Sequence, residues 1–191
     1  MIIPFLGWAL TGLVFFTKPG YTEAFESLSI KTYGNRDQVS FPVNGEWLEI
    51  RMLKSILGSH LLVKTINGWE QLNPTTLLAL ALPPKQDIRR LVEDAISVNP
   101  KRYGNIVTVI GNQIETDKNV TIQLDWSQML LSQKGRDTAL INTMYKIHYL
   151  QWTGIKIVDQ VLGLLGLGLI CTLAILGVLL LRSISHEQRL R

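Results

Sequence analysis

Residues Val161 to Leu181 read VLGLLGLGLICTLAILGVLLL, 21 residues without a charge or a proline. A helix needs roughly 18–20 such residues to cross a hydrocarbon core of about 30 Å. The stretch predicts a transmembrane helix over 156–182, closed by Arg182. The residues leading into it, YKIHYLQWTGIKIVDQ, are aromatic and polar, as suits the boundary between lipid and water. Tyr145, Tyr149, Trp152, Lys156 and Asp159 are therefore candidate membrane-interface residues. The one cysteine of the chain, Cys171, lies inside the apolar run and reads as a small apolar packing residue.

The other end of the chain is apolar too. Met1 to Phe16 reads MIIPFLGWALTGLVFF and lacks both the basic start and the small-residue cleavage site of a secretory signal. It predicts a first transmembrane helix over 1–17. At about 1.5 Å per residue this helix is short for a span, which fits a natural start upstream of Met1. In the second helix Gly163, Gly166, Ala174 and Gly177 fall within about 80° of one another at about 100° per residue. Such a face admits close approach of another helix. Two readings follow: the two helices of this chain pack together, or the face receives a protein partner or a second copy of the chain.

Basic residues next to the spans orient the chain. Arg182, Arg189 and Arg191 follow the second span, whereas Lys146 and Lys156 precede it and Lys18 follows the first. The bias favours a basic cytoplasmic tail at 183–191, with the middle of the chain on the other side.

That middle comprises an extracytoplasmic domain over 18–135 and a juxtamembrane helix over 136–155. Its fold class is α+β, with antiparallel strands and helices. Leu28–Tyr33 alternates weakly. Trp47–Leu53 places Leu48, Ile50 and Met52 on one face and Glu49 and Arg51 on the other. His60–Ile66 leads to Asn67-Gly68, a hairpin signal, with Trp69–Leu72 as the return strand. Asn73-Pro74-Thr75-Thr76 predicts the start of a short helix ending at Pro83. From Pro84 to Val98, Ile88, Leu91, Val92, Ala95 and Ile96 recur at helical spacing, and Asn99-Pro100 stops the pattern. Strands are expected at Ile106–Ile110, Gln113–Thr116 and Val120–Trp126, and helix again over Arg136–Tyr149.

The 191 residues carry 19 basic and 15 acidic side chains, a net charge of +4. Three of the basic residues, Arg182, Arg189 and Arg191, follow the apolar run, so the middle is near neutral, and no basic patch interleaved with aromatics points to nucleic acid. With no cysteine outside the span there is no disulfide framework or cysteine metal site. No nucleophile motif, phosphate loop or metal-ligand spacing stands out.

The string DAISVNPKRYGNIVTVIGNQ, followed by VTIQLDW, resembles a PepSY domain. FFTKPGYTEAFESL and QKGRDTALINTMYKIHYLQWTG, followed by the glycine-rich span, resemble the PepSY-associated transmembrane helix family. Together these segments cover nearly the whole chain. The resemblance implies a periplasmic domain tethered to a bacterial inner membrane. Its larger members are similar to reductases of iron–siderophore complexes in which helix histidines ligate haem. This chain departs from them, with two expected spans and no histidine in its first apolar helix.

Of the three histidines, His60, His148 and His186, the one placed for a cofactor is His148, among Tyr145, Tyr149 and Trp152. It is the candidate haem ligand, and a bonded interface residue is the alternative. Asp137, Tyr145, His148 and Trp152 share roughly one helical face and predict a polar seam. The leading expectation is a non-enzymatic binding or regulatory protein, without a resident cofactor, accessory to a membrane or periplasmic partner. The alternatives are a haem-dependent redox component of iron or siderophore uptake, and an inhibitor of a periplasmic peptidase.

Overall fold

The computed structural model describes residues 2–34, 45–151 and 153–189, and side chains at 2–6 and 183–189 lie outside that description. Among the described residues the protein is α+β with two antiparallel sheets, and it divides into two compact units. One comprises Met1–Pro19 with Leu140–Arg191, the other Gly20–Ala139.

The first unit is helical. It holds α1 (Ile2–Thr17), the greater part of α5 (Arg136–His148) and α6 (Lys156–Arg189). Among the described residues one helix is long and apolar enough to cross a membrane, Lys156–Arg182 within α6. Its most apolar window has mean hydropathy 2.8 and none of that window is buried against protein. In α1 the apolar stretch among the residues with described side chains, Gly7–Thr17, is shorter than a span. The turn before α6 is built locally. Asp159 Oδ1 accepts from the Thr153 amide at 3.0 Å and from its hydroxyl at 2.7 Å, and Thr153 Oγ1 accepts from the Ile155 amide at 3.2 Å. These bonds tie the residues before α6 to its first turn.

The second unit contains α2 (Tyr21–Ala24) and a three-stranded sheet of β1 (Glu49–Ser55), β2 (Gly58–Thr65) and β3 (Gly68–Leu72). There follow α3 (Lys85–Ile96), α4 (Pro100–Tyr103) and a four-stranded sheet of β4 (Ile106–Ile110), β5 (Gln113–Thr116), β6 (Thr121–Asp125) and β7 (Leu130–Lys134). Both sheets are meanders, each strand pairing with its sequence neighbour. Alternation decides what each strand buries: Ile114, Ile122, Leu124 and Leu131 point inward while Gln113, Gln123 and Ser132 remain exposed. The inward set packs on Ile88, Leu91, Val92, Ala95 and Ile96 of α3, together with Leu28, Ile30, Leu62 and Tyr103. Leu61, Val63 and Leu72 form a smaller cluster with Trp47, Ile50 and Leu77. Since odd and even residues of β2 point to opposite faces, Leu62 reaches the main core while Leu61 and Val63 reach the smaller one.

Two expectations are corrected here and one strand is added. The stretch after Asn73 is not a helix. Asn73 Oδ1 accepts from the amides of Thr75 and Thr76 at 2.8 and 3.0 Å, an Asx turn, and Leu77 adopts a left-handed φ of 58°. The chain thereby turns back, so that Ala79 bridges Leu72 and the Leu80 amide donates to Gln71 O at 2.8 Å. Local side-chain bonding to the backbone outcompetes the helix that TTLLALAL favours. Leu28–Tyr33 is not a strand either, although Leu28 and Ile30 are buried and the Tyr33 amide donates to Lys54 O at 2.8 Å. Finally, a strand unforeseen from the sequence, β7, follows β6 across a turn in which Asp125 accepts from Ser127 and Gln128 and Met129 has φ 51°.

Candidate functional site

His148 ends α5 and is fixed by α1. Its Nδ1 lies 2.9 Å from Thr11 Oγ1, and its backbone carbonyl accepts from Trp8 Nε1 at 2.8 Å. Thr11 Oγ1 lies 2.8 Å from Gly7 O and 3.1 Å from Trp8 O, and with its proton directed at either carbonyl its lone pair accepts from Nδ1–H. That pairing selects the tautomer in which Nε2 is unprotonated. The imidazole stacks on Trp8 at 5.2 Å and meets Phe15 edge-on at 4.9 Å. Phe15 in turn stacks on Tyr145 at 4.4 Å, and Tyr145 lies parallel to Tyr149 at 6.1 Å. Trp8, Thr11 and Phe15 lie three to four residues apart in sequence, which puts them on one face of α1.

Beside this cluster runs an open, mainly apolar groove of about 740 Å³. His148, Gln151, Asp159 and Gln160 are among its lining residues, with Gly163, Gly166, Leu167 and Ile170 of α6. The glycine face divides into two halves. A Cβ on Gly163 would touch Tyr149 O at 3.7 Å, and one on Gly166 would lie 2.7 Å from Leu150 Cδ1. Both of those neighbours follow α5, so within this chain the upper glycines accommodate that loop rather than α1. Ala174 is exposed and nothing lies within 4 Å of a Cβ on Gly177. Lys156 and Tyr149 are exposed, and Asp159 is spent on the turn before α6. Trp152 lies outside the described residues.

The expected polar seam along α5 is two separate arrangements. Tyr145 and His148 meet α1, whereas Asp137, at the other end of the helix, belongs to a polar hub in the α+β unit. The centre of that hub is Arg102, whose side chain is only 5 % exposed. Its Nη1 donates to Asp137 Oδ2 at 2.7 Å and its Nη2 to Gln133 Oε1 at 2.7 Å. Gln133 Nε2 then donates to the carbonyls of Ala24 and Glu26, and Thr138 Oγ1 donates to Ala24 O at 2.9 Å. Glu26 Oε2 accepts from Asn99 Nδ2 at 3.0 Å and from Tyr103 OH at 3.4 Å. Burial opposes the Arg102 charge, but the hydrogen bond and charge of Asp137 outweigh it and hold the guanidinium above its ordinary pKa. The same hydrogen bond holds the Asp137 carboxyl below its ordinary value.

A second polar line crosses the three-stranded sheet. His60 Nε2 lies 2.7 Å from Ser55 Oγ, and Nδ1 accepts from the Gln71 amide. A serine, a histidine and an orienting group in sequence form the skeleton of an activated nucleophile. Ser55 and His60 are each 4 % exposed, however, so a substrate carbonyl cannot reach Oγ in this conformation. Neither network has a local spacing signal in the sequence, since its members come from separate elements. Among the described residues no group of three or more His, Cys, Asp or Glu side chains is placed to hold a metal ion.

No protein-family model, curated protein or solved structure matches the chain.

Proposed function

We propose that the chain is a membrane-anchored, PepSY-like binding or regulatory protein, accessory to a membrane or periplasmic partner. The observation that carries this reading is the exposed apolar span of α6, joined in one chain to a separate α+β unit. The order α3, then antiparallel β4 to β7, supports the PepSY likeness, which holds a helix and antiparallel strands in that sequence. In this reading α1 is a second membrane helix, the membrane is the bacterial inner membrane, the α+β unit is periplasmic and the tail cytoplasmic. The open lower half of the glycine face, around Ala174 and Gly177, is the surface offered to a partner helix. A photo-crosslinking residue at Gly177 is expected to give one discrete adduct in native membranes, and one at Gly163, beside Tyr149, a weaker one. A protein that remains solitary from both positions, in membranes and in mild detergent, counts against the reading.

One observation favours the redox alternative. His148 has Nδ1 held by Thr11, lines the groove, and makes no hydrogen bond through Nε2 among the described residues. A histidine ligand is normally oriented in this way by a bond to its other nitrogen. A second chain or a second copy would supply the other axial ligand. Haem supplementation of the purified protein is the direct test: a Soret band lost in His148→Ala supports this reading, and absence of any band removes it.

A further inference from the structure

Ser55 closes β1, His60 lies in β2 and Gln71 in β3, and their side chains form a buried line through the three-stranded sheet. The three residues are 4 %, 4 % and 3 % exposed. Ser55 Oγ also accepts from the Leu57 amide at 3.0 Å, and the Trp126 ring stands edge-on to the imidazole at 5.6 Å. The Gln71 amide nitrogen can only donate, so Nδ1 is its acceptor. The imidazole is then neutral, with its proton on Nε2 and directed at Ser55 Oγ. Gln71 Oε1 is buried and has no hydrogen-bond partner among the described residues.

A second proton on the ring has one place to go, Nδ1, where it meets the amide NH2 group head-on. The acceptor that this proton needs is the orphaned Oε1 of the same amide. A half-turn about the Cγ–Cδ bond of Gln71 exchanges the two. Afterwards Nδ1–H donates to Oε1 and Nε2–H to Ser55 Oγ. Both N–H groups are then bonded, but the charge remains buried without a counter-ion. By strand alternation the charged groups on the same face are Glu49 and Arg51 of β1 and Lys64 of β2. Glu49 is taken up by Arg51 at 2.8 Å, and Arg51 and Lys64 lie over the Trp69 ring at 4.5 and 5.9 Å. From the Trp126 side the neighbouring acid is Asp125, which accepts from Ser127 and Gln128.

We propose that Ser55, His60 and Gln71 form an acid-sensitive latch: proton uptake at His60 turns the Gln71 amide over and loosens the β1–β3 sheet while the β4–β7 sheet stays closed. Burial lowers the His60 pKa below its ordinary 6.5. The neutral ring therefore contributes stability that is complete above about pH 6.5 and is lost as pH falls through the lower, folded-state value. This regulation of the unit is separate from the membrane reading and survives its failure.

Hydrogen exchange on the full chain in detergent micelles, expressed as protection factors at pH 7.5 and 5.0, tests the latch. Protection over Glu49–Leu72 is expected to be lost in acid, with Thr121–Lys134 unchanged. Equal loss in both sheets, or none, overturns the proposal. His60→Gln is expected to abolish the pH response. If that variant does not fold, Gln71→Glu serves instead: a carboxylate opposite Nδ1 favours the imidazolium, so the acid loss should move to lower pH or vanish. An unchanged acid profile in Gln71→Glu overturns the latch. Nitrogen NMR at pH 7.5 should find the His60 proton on Nε2, and a proton on Nδ1 instead would also reject it.

Discussion

Arg102 Nη1 donates to Asp137 Oδ2 at 2.7 Å, across 35 residues of sequence, and so ties α4 to the first turn of α5. The arginine side chain is almost fully buried while Asp137 is about one-third exposed. Removing the carboxylate strands a charge in the interior, whereas removing the arginine leaves an acid that water can reach. Asp137→Asn is therefore expected to destabilise the α+β unit by about 3 kcal/mol, and Arg102→Met by less, about 2 kcal/mol. Denaturant titration of the two variants checks the order. The pair also sets an acid limit. Because Asp137 is depressed from 3.8, its contribution is complete above about pH 4 and is lost as pH falls through the folded value. The acid slope of unfolding below pH 4 should be shallower in Asp137→Asn.

Gly104 follows α4 with φ 63° and ψ −133°, and a Cβ there would lie within 3 Å of the Asp117 carboxylate and the Lys118 side chain. Asp117 is not free to retreat, since it accepts from the Asn105 amide at 3.0 Å and from Asn105 Nδ2 at 3.1 Å. Gly111 also has a positive φ, 57°, but has open space around it. Gly104→Ala should cost about 3 kcal/mol and Gly111→Ala about 1 kcal/mol. Thermal unfolding of the two variants separates steric exclusion from backbone strain alone.

Thr11 and Trp8 hold the end of α5 through one side-chain and one main-chain bond to His148. Thr11→Val keeps the shape but removes the hydroxyl, and should cost about 1 kcal/mol in detergent. It also frees Nδ1, so nitrogen NMR should show His148 changing from one tautomer to a mixture. Trp8→Phe keeps the stack and loses the bond to the His148 carbonyl, leaving the tautomer of the ring unchanged.

Cys171 is exposed on α6, in the middle of its apolar window. If this helix crosses a bilayer, a membrane-impermeant maleimide should not label Cys171 in intact membranes and should label it after denaturation. A cysteine placed at Ile155, before α6, should react in the membrane-bound protein. Rapid labelling of Cys171 in intact membranes would exclude the span.

What the sequence disclosed follows the range of the forces concerned. The long apolar helix α6, the amphipathic α3 and the hairpin closed by Thr65 and Gly68 are written in near-neighbour patterns, and all three elements appear in the structure. The Asx turn at Asn73 and the strand β7 were not read. Apolar content favours helix after Asn73, where a side-chain bond to the backbone decides the outcome, while in β7 pairing with β6 decides it. Of the candidate site, the aromatic neighbourhood of His148 was legible as a cluster within α5, but its partners Trp8, Thr11 and Phe15 lie more than 120 residues away and left no local trace. The same holds for Arg102 with Glu26, and for the amide of Gln71 that meets His60.

In the α+β unit the carbonyl of Ala24 and the hydroxyl of Thr138 are 2.9 Å apart, and Gln133 reaches the same short stretch of chain. The polypeptide thus comes into this unit and goes out of it at a single point, as a road does at a roundabout with one exit. A segment with abutting ends can be lifted out, joined head to tail or set into another host loop without stretching its backbone. The unit is in that sense a cassette, and its portability rests on a single hydroxyl, one glutamine and the arginine beneath them.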